Sequence, residues 1–210
     1  MWENNTYPLG SKRRVMELIL PPGGGLVRLF GPGYHGKAAL SLVEEIVARS
    51  LCEGIPIHWV DGASRIDPSR MLKTISKCGG EGRDCLIRLY VSRGFTLHQL
   101  AAQVQRLSGE IKLTGSKLIV IDGLLAMHGD DQINAAESRS ILRRSLHKLQ
   151  ELATFGVTVL LVTADHGQGL DYLTRRCILS LDVRDYTNPR LLHQSTLHNR
   201  LPGAAKQPIA

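Results

Sequence analysis

The segment Leu29-Phe-Gly31-Pro-Gly33-Tyr-His-Gly36-Lys37-Ala38-Ala-Leu40 constrains this 210-residue chain more than any other. An apolar strand leads into a glycine-rich turn, and an apolar run at helical spacing, Leu40, Val43, Ile46 and Val47, leads out of it. Gly31, Gly36 and Lys37 hold the positions of the phosphate loop G-x-x-x-x-G-K-[ST], where backbone amides and a helix N-terminus surround an anion. Pro32, Gly33, Tyr34 and His35 lie between them, with Tyr34 and His35 at the crest. The eighth position departs from the pattern: Ala38 stands where a Ser or Thr hydroxyl would hold Mg2+. The candidate site keeps a nucleotide cradle and lacks a metal ligand. The bland alternative is a strand-to-helix turn kept for the fold alone, with Lys37 solvated.

The rest of the chain alternates strand and helix. After the strand Leu26–Phe30 and a helix from Lys37 to Cys52, closed by Gly54 and Pro56, the pattern predicts a strand over Ile55–Asp61. Pro68 suits the first turn of a helix to Lys77. A strand over Cys85–Val91 and a helix from Thr96 to Leu107 follow. Lys117–Asp122 and Val157–Thr163 are continuous apolar runs, as expected of strands buried on both faces of a parallel sheet. Between them Ile133–Thr154 carries the longest helical periodicity, stopped by Gly156. Residues 164–172 read as a loop. Cys177–Val183 and Arg190–Thr196 flank Asp185-Tyr-Thr-Asn188-Pro189 as the arms of an antiparallel hairpin. The expectation is one α/β domain over residues 25–201, a mostly parallel sheet with helices on both faces and a C-terminal antiparallel hairpin. Residues 1–24 form a lead-in broken by Pro21-Pro22-Gly23-Gly24-Gly25, and 202–210 a mobile tail.

Charge and composition narrow the partners. The net charge of +7 favours an acidic polymer without identifying one, and aromatic residues are only 5% of the chain, too few for an extensive base-stacking surface. On the long helix, Arg139, Arg143, Arg144 and Lys148 form a candidate phosphate-binding face. Ion pairing with Glu137 or Glu151 on a solvated face is the alternative. No apolar run is long enough to span a bilayer and no signal peptide is recognisable, so a cytoplasmic protein without membrane contact is expected. Cys52, Cys78, Cys85 and Cys177 are too widely spaced for a CxxC motif and are expected as free thiols.

In order and spacing these motifs resemble the ATPase core of the RecA/RadA recombinases, over about Leu20 to Gly203. Leu29–Leu40 resembles their phosphate loop. The segment Trp59-Val60-Asp61-Gly62-Ala63-Ser64-Arg65-Ile66-Asp67-Pro68 is similar to the one that delivers the water-activating acid. Arg93-Gly-Phe95-Thr-Leu97-His98-Gln99-Leu100 is similar to a connection before a helix, Leu118–Ala126 to the second nucleotide motif ending in Asp122, and Val159–His166 to the strand before the second DNA-binding loop.

The resemblance implies a RecA-like phosphate-loop sandwich, and its departures matter as much as its matches. Family members carry Glu two residues after the acid of the second strand, where this chain has Ala63. Losing a general base costs about 10²–10⁴ in rate, before the loss of a metal-binding hydroxyl at Ala38 is counted. The chain is therefore identified as similar to core-only archaeal RadA paralogues, a pseudo-ATPase with no catalytic residue and no metal site. The implied role is an accessory or modulator of DNA repair and recombination that binds DNA, single-stranded in preference, a recombinase, or both. ATP or ADP would be held weakly by Gly31 to Ala38 and Asp122, with Mg2+ contributing little. Asp122 has a plain structural alternative, capping nearby backbone donors. Two other readings stay open: an active DNA-stimulated ATPase of the RadA/KaiC-like class, with Ser64 or Asp67 replacing the missing groups, and a RecA-like scaffold subunit that does not bind DNA.

Overall fold

The computed structural model describes residues 20–128, 133–165 and 170–183. Six strands form one sheet: β1 (Gly25–Gly31), β2 (Ile57–Asp61), β3 (Leu89–Arg93), β4 (Leu118–Asp122), β5 (Thr158–Ala164) and β6 (Leu179–Asp182), in the order β3-β2-β4-β5-β1-β6. Every ladder is parallel. The helices are α1 (Lys37–Cys52), α2 (Pro68–Lys77), α3 (Gly82–Leu86), α4 (Leu97–Thr114), α5 (Ala135–Thr154) and α6 (Leu170–Arg176).

Period-2 alternation divides each central strand between two cores. Leu118 and Val120 of β4 join Val27, Trp59 and Leu160 beneath Val43, Ile46 and Leu51 of α1 and Met71 and Ile75 of α2. Ile119 and Ile121 face the other way, with Val159 and Leu161, beneath Leu100 and Val104 of α4 and Leu142, Leu146 and Leu149 of α5. Because both faces are covered, β4 is buried at all five positions, which is why its sequence is unbroken apolar.

Local chemistry sets the helix ends. The Asp67 carboxylate accepts from the Ser69 and Arg70 amides, and Pro68 opens α2 with its preset φ. Thr96 caps α4 by accepting from the Gln99 amide at 3.2 Å. Gly115, at φ 69°, ends that helix in the left-handed conformation. This cap lies beyond the expected end at Leu107, so α4 runs two turns longer than its apolar periodicity suggests.

Three other expectations change. The strand expected over Cys85–Val91 is instead a helical turn, α3, followed by β3 at Leu89–Arg93: Cys85 is drawn into the core beside α1, its Sγ 3.9 Å from that of Cys52. Part of the expected loop 164–172 belongs to α6. The first arm of the expected hairpin, Cys177–Val183, contains β6, which pairs parallel with β1. The turn and second arm lie outside the described residues, as do most of the lead-in and all of the tail. Among the described residues no helix is long and apolar enough to cross a membrane.

Burial weighs against the charged form of two histidines in this framework. His58 on β2 sits 2.9 Å from the Thr114 hydroxyl and stacks on Tyr90. Burial lowers its pKa against the opposing pull of Glu110, and burial lowers that of His128. Unfolded histidines take up protons near pH 6.5, so on acidification the unfolded state binds protons that the folded state refuses, and stability falls. The urea midpoint should therefore be lower at about pH 5.5 than at about pH 7.5, and His128→Asn should shrink that difference.

Candidate functional site

Parallel pairing brings the carboxyl ends of all six strands to one edge, where crevices between crossovers favour ligands. The loop after β1, Asp61 at the end of β2 and Asp122 at the end of β4 meet there. Asp61 and Asp122 are register partners on adjacent strands. Both are fully buried. Two carboxylates side by side in a dry sheet require cations, and the way they obtain them defines the site.

The loop itself is tightly held. Gly33, at φ 91°, and Gly36, at φ 76°, adopt conformations open to glycine, and a Cβ at Gly36 would overlap the Thr163 carbonyl of β5. Gly31 is enclosed by Val183 and the Ala38 methyl group. The amides expected to surround phosphate are turned inward: Gly36 donates to the Gly33 carbonyl at 3.1 Å, Ala38 to that of Pro32 at 3.2 Å, and Lys37 to that of Tyr34. Lys37 and Tyr34 are exposed, as the solvated alternative for the lysine requires. His35 is half-buried at φ 48°; burial, then Arg65, lowers its pKa.

Arg65 dominates the centre. Its guanidinium is bidentate on Asp122, with Nε 3.2 Å from Oδ2 and Nη2 on Oδ1. The same group donates to the loop carbonyls of Tyr34 at 2.8 Å and His35 at 3.0 Å. Burial pushes the Asp122 carboxyl above its ordinary range, Asp61 and Glu44 push the same way, and Arg65 pulls it back. Neither alternative foreseen for Asp122, a metal-directed acid or a cap for backbone donors, describes this partner.

Asp61 positions that arginine. Its carboxylate accepts from the Arg65 amide at 3.0 Å and the Ile66 amide at 3.2 Å, and Arg93 of β3 grips it at 2.8 and 3.0 Å. A third pair closes the α1 side: buried Glu44 is bonded to Arg70, whose Nη2 also donates to the Arg65 carbonyl at 3.0 Å. Asp67, considered as a substitute for the missing carboxylate, is engaged as the cap of α2.

The cations of α5 lie apart from this edge network. Arg139, Arg143 and Arg144 are exposed; Lys148 is half-buried and paired with Glu151 at 3.1 Å. At about 100° per residue, Arg139 and Arg143 lie on one flank of the exposed arc and Arg144 and Lys148 on the other, roughly 140° away. Arg143 reaches toward the Tyr172 ring of α6, while Arg144 and Lys148 line a groove of about 530 Å³ between α4 and α5. The four thus form two strips, and the ion-paired alternative holds for Lys148.

Magnesium-bound nucleotide does not fit the residues as they stand. Ala38 offers no side-chain oxygen, both Asp122 oxygens are taken by Arg65, and the amides of Gly36, Lys37 and Ala38 are spent inside the loop. Among the described residues no cluster of three or more His, Cys, Asp or Glu is arranged to hold a metal ion. No family model and no curated protein matches the chain. Sequence reasoning missed Arg65 and Arg93. Charge accounting offered the signal: two acids at the ends of buried strands, beside a loop whose Ala38 has no side-chain oxygen for a metal ion, need cations supplied by the chain itself. Asp61→Ala should leave Arg93 and two amides without acceptors and lower the unfolding free energy by about 3 kcal/mol, the low end for a broken buried pair because Arg93 is partly exposed, as urea denaturation can check.

Proposed function

We propose that this chain is a RecA/RadA-like recombinase paralogue, an accessory or modulator of DNA repair and recombination whose phosphate loop does not hydrolyse ATP. One observation carries this reading. Segments resembling the family's motifs, spread over residues 32 to 122, end together at one edge of a parallel sheet: the loop after β1, Asp61 of β2 and Asp122 of β4. The groups that hydrolysis needs are not among them, because Ala38 and Ala63 replace the metal ligand and the base and Arg65 covers Asp122.

The binding role rests on charge. α5 follows the connection after β4 and carries three exposed arginines, Arg139, Arg143 and Arg144. The partner they suit is a phosphate backbone, single-stranded DNA in the first instance, with a recombinase as the protein partner. Electrostatic binding of this type is lost as salt rises, through release of condensed counterions.

Two measurements test the proposal. Phosphate release from ATP, with and without single-stranded DNA, should stay at background and be unchanged by Lys37→Ala; DNA-stimulated turnover lost in that variant would establish an ATPase instead. Gel shifts over a salt series should show binding to single-stranded DNA. Replacing Arg139, Arg143 and Arg144 with Ala should reduce the slope of log K against log salt by about 2, at roughly 0.7 per lost phosphate contact. No shift even at low salt would leave a scaffold without a DNA role.

A further inference from the structure

Three nitrogens of the Arg65 guanidinium donate to four oxygens placed around it: Oδ1 and Oδ2 of Asp122 and the backbone carbonyls of Tyr34 and His35. A carboxylate and two carbonyls suit a cation and not an anion, and oxygens of this kind are the ligands that hard divalent ions take. In a phosphate-binding loop the amides face the ligand. Here the loop turns carbonyls toward the centre and consumes the amides of Gly36, Lys37 and Ala38 in its own turns. The polarity of the loop is reversed.

We infer that Arg65 is the resident cation of this edge, a covalently tethered substitute for the divalent ion, and that its guanidinium holds the loop in a closed form that needs neither metal nor nucleotide. The backbone around it is arranged for that contact. Among the described residues only two non-glycine residues have positive φ, His35 at 48° and Ser64 at 53°. One supplies a carbonyl to the guanidinium and the other immediately precedes Arg65. Conformations of this kind persist where surrounding contacts over-determine them. On the other side the Arg65 amide is fixed by Asp61 and its carbonyl by Arg70, so the side chain is aimed from both ends. With only 12% of its surface exposed, the Arg65 side chain is screened little by solvent.

Removing the tethered cation should uncover the site beneath it. In Arg65→Ala the Asp122 carboxylate is left without its counter-ion and the two carbonyls without their donor, and the variant should become a divalent-cation binder. This inference stands on the loop geometry and is independent of DNA binding, which is read by a different assay.

The test uses the full chain and Mn2+ as the probe, with bound ion counted from the loss of the free-ion electron paramagnetic resonance signal and stability followed by thermal unfolding. Wild type should bind no Mn2+ at this site, and its Tm should not move with Mg2+ and ATP. Arg65→Ala should unfold about 6–20 °C lower, as expected for a broken buried pair in a chain of this size, bind one Mn2+ and regain part of the loss when the ion is added. Arg65→Ala/Asp122→Asn, with both charges removed, should bind no Mn2+ and unfold at a higher temperature than Arg65→Ala. That double variant keeps the test decisive if Arg65→Ala alone does not fold, because a double variant as unstable as the single one would overturn the pairing. Stabilisation of wild type by Mg2+ and ATP that disappears in Lys37→Ala would also overturn the inference, as would an Arg65→Ala protein that matches wild-type Tm and ignores divalent ions.

Discussion

Two aspartates buried side by side at the ends of β2 and β4 set the terms for the rest of this edge. Desolvating a carboxylate is costly, and placing a second one on the neighbouring strand adds repulsion. The fold compensates by bringing one arginine to each: Arg93 arrives along β3, and Arg65 from the turn after β2. Each acid also does structural work through its other contacts. Asp61 gathers the backbone at Arg65 and Ile66, and Asp122 receives the side chain so positioned, joining β2, β4 and the loop after β1 into one network.

That network ties a loop with phosphate-binding spacing to the sheet through the chain's own side chains. Glycines at positions 33 and 36 permit the tight path, and the approach of Gly36 to the β5 backbone fixes its depth. The chain keeps the shape of the turn and assigns its electrostatics differently, which is why motif spacing says more about its architecture than about its chemistry.

Most of the architecture was legible in the sequence because it follows from periodicity and punctuation. The runs at Lys117–Asp122 and Val157–Thr163 announced buried parallel strands, and Pro68, Thr96 and Gly156 marked helix boundaries where side-chain and backbone chemistry act locally. Legibility failed where tertiary contacts decide. Cys85 reads as the start of a strand until the thiol of Cys52 and the core beside α1 draw it into a helical turn. Gly115 closes α4 beyond the point where the apolar rhythm fades. At the candidate site the loop was singled out by its spacing and Asp122 by the family resemblance and its place at the end of an apolar strand, but Arg65 was passed over as one residue within a motif, because a pairing across 57 positions of sequence leaves no periodic trace. The basic helix face was legible as composition and not as geometry, since the turn angle separates its cations into two strips.

Trp59 gives this edge an optical consequence. It is one of two tryptophans in the chain, wholly buried in the middle of β2 and two residues from Asp61, and its indole nitrogen has no hydrogen-bond partner among the described residues. An indole in dry, apolar surroundings emits at the blue end of its fluorescence range and moves to the red once water reaches it. The strand that carries the central acid therefore contains its own reporter of whether that end of the sheet has opened.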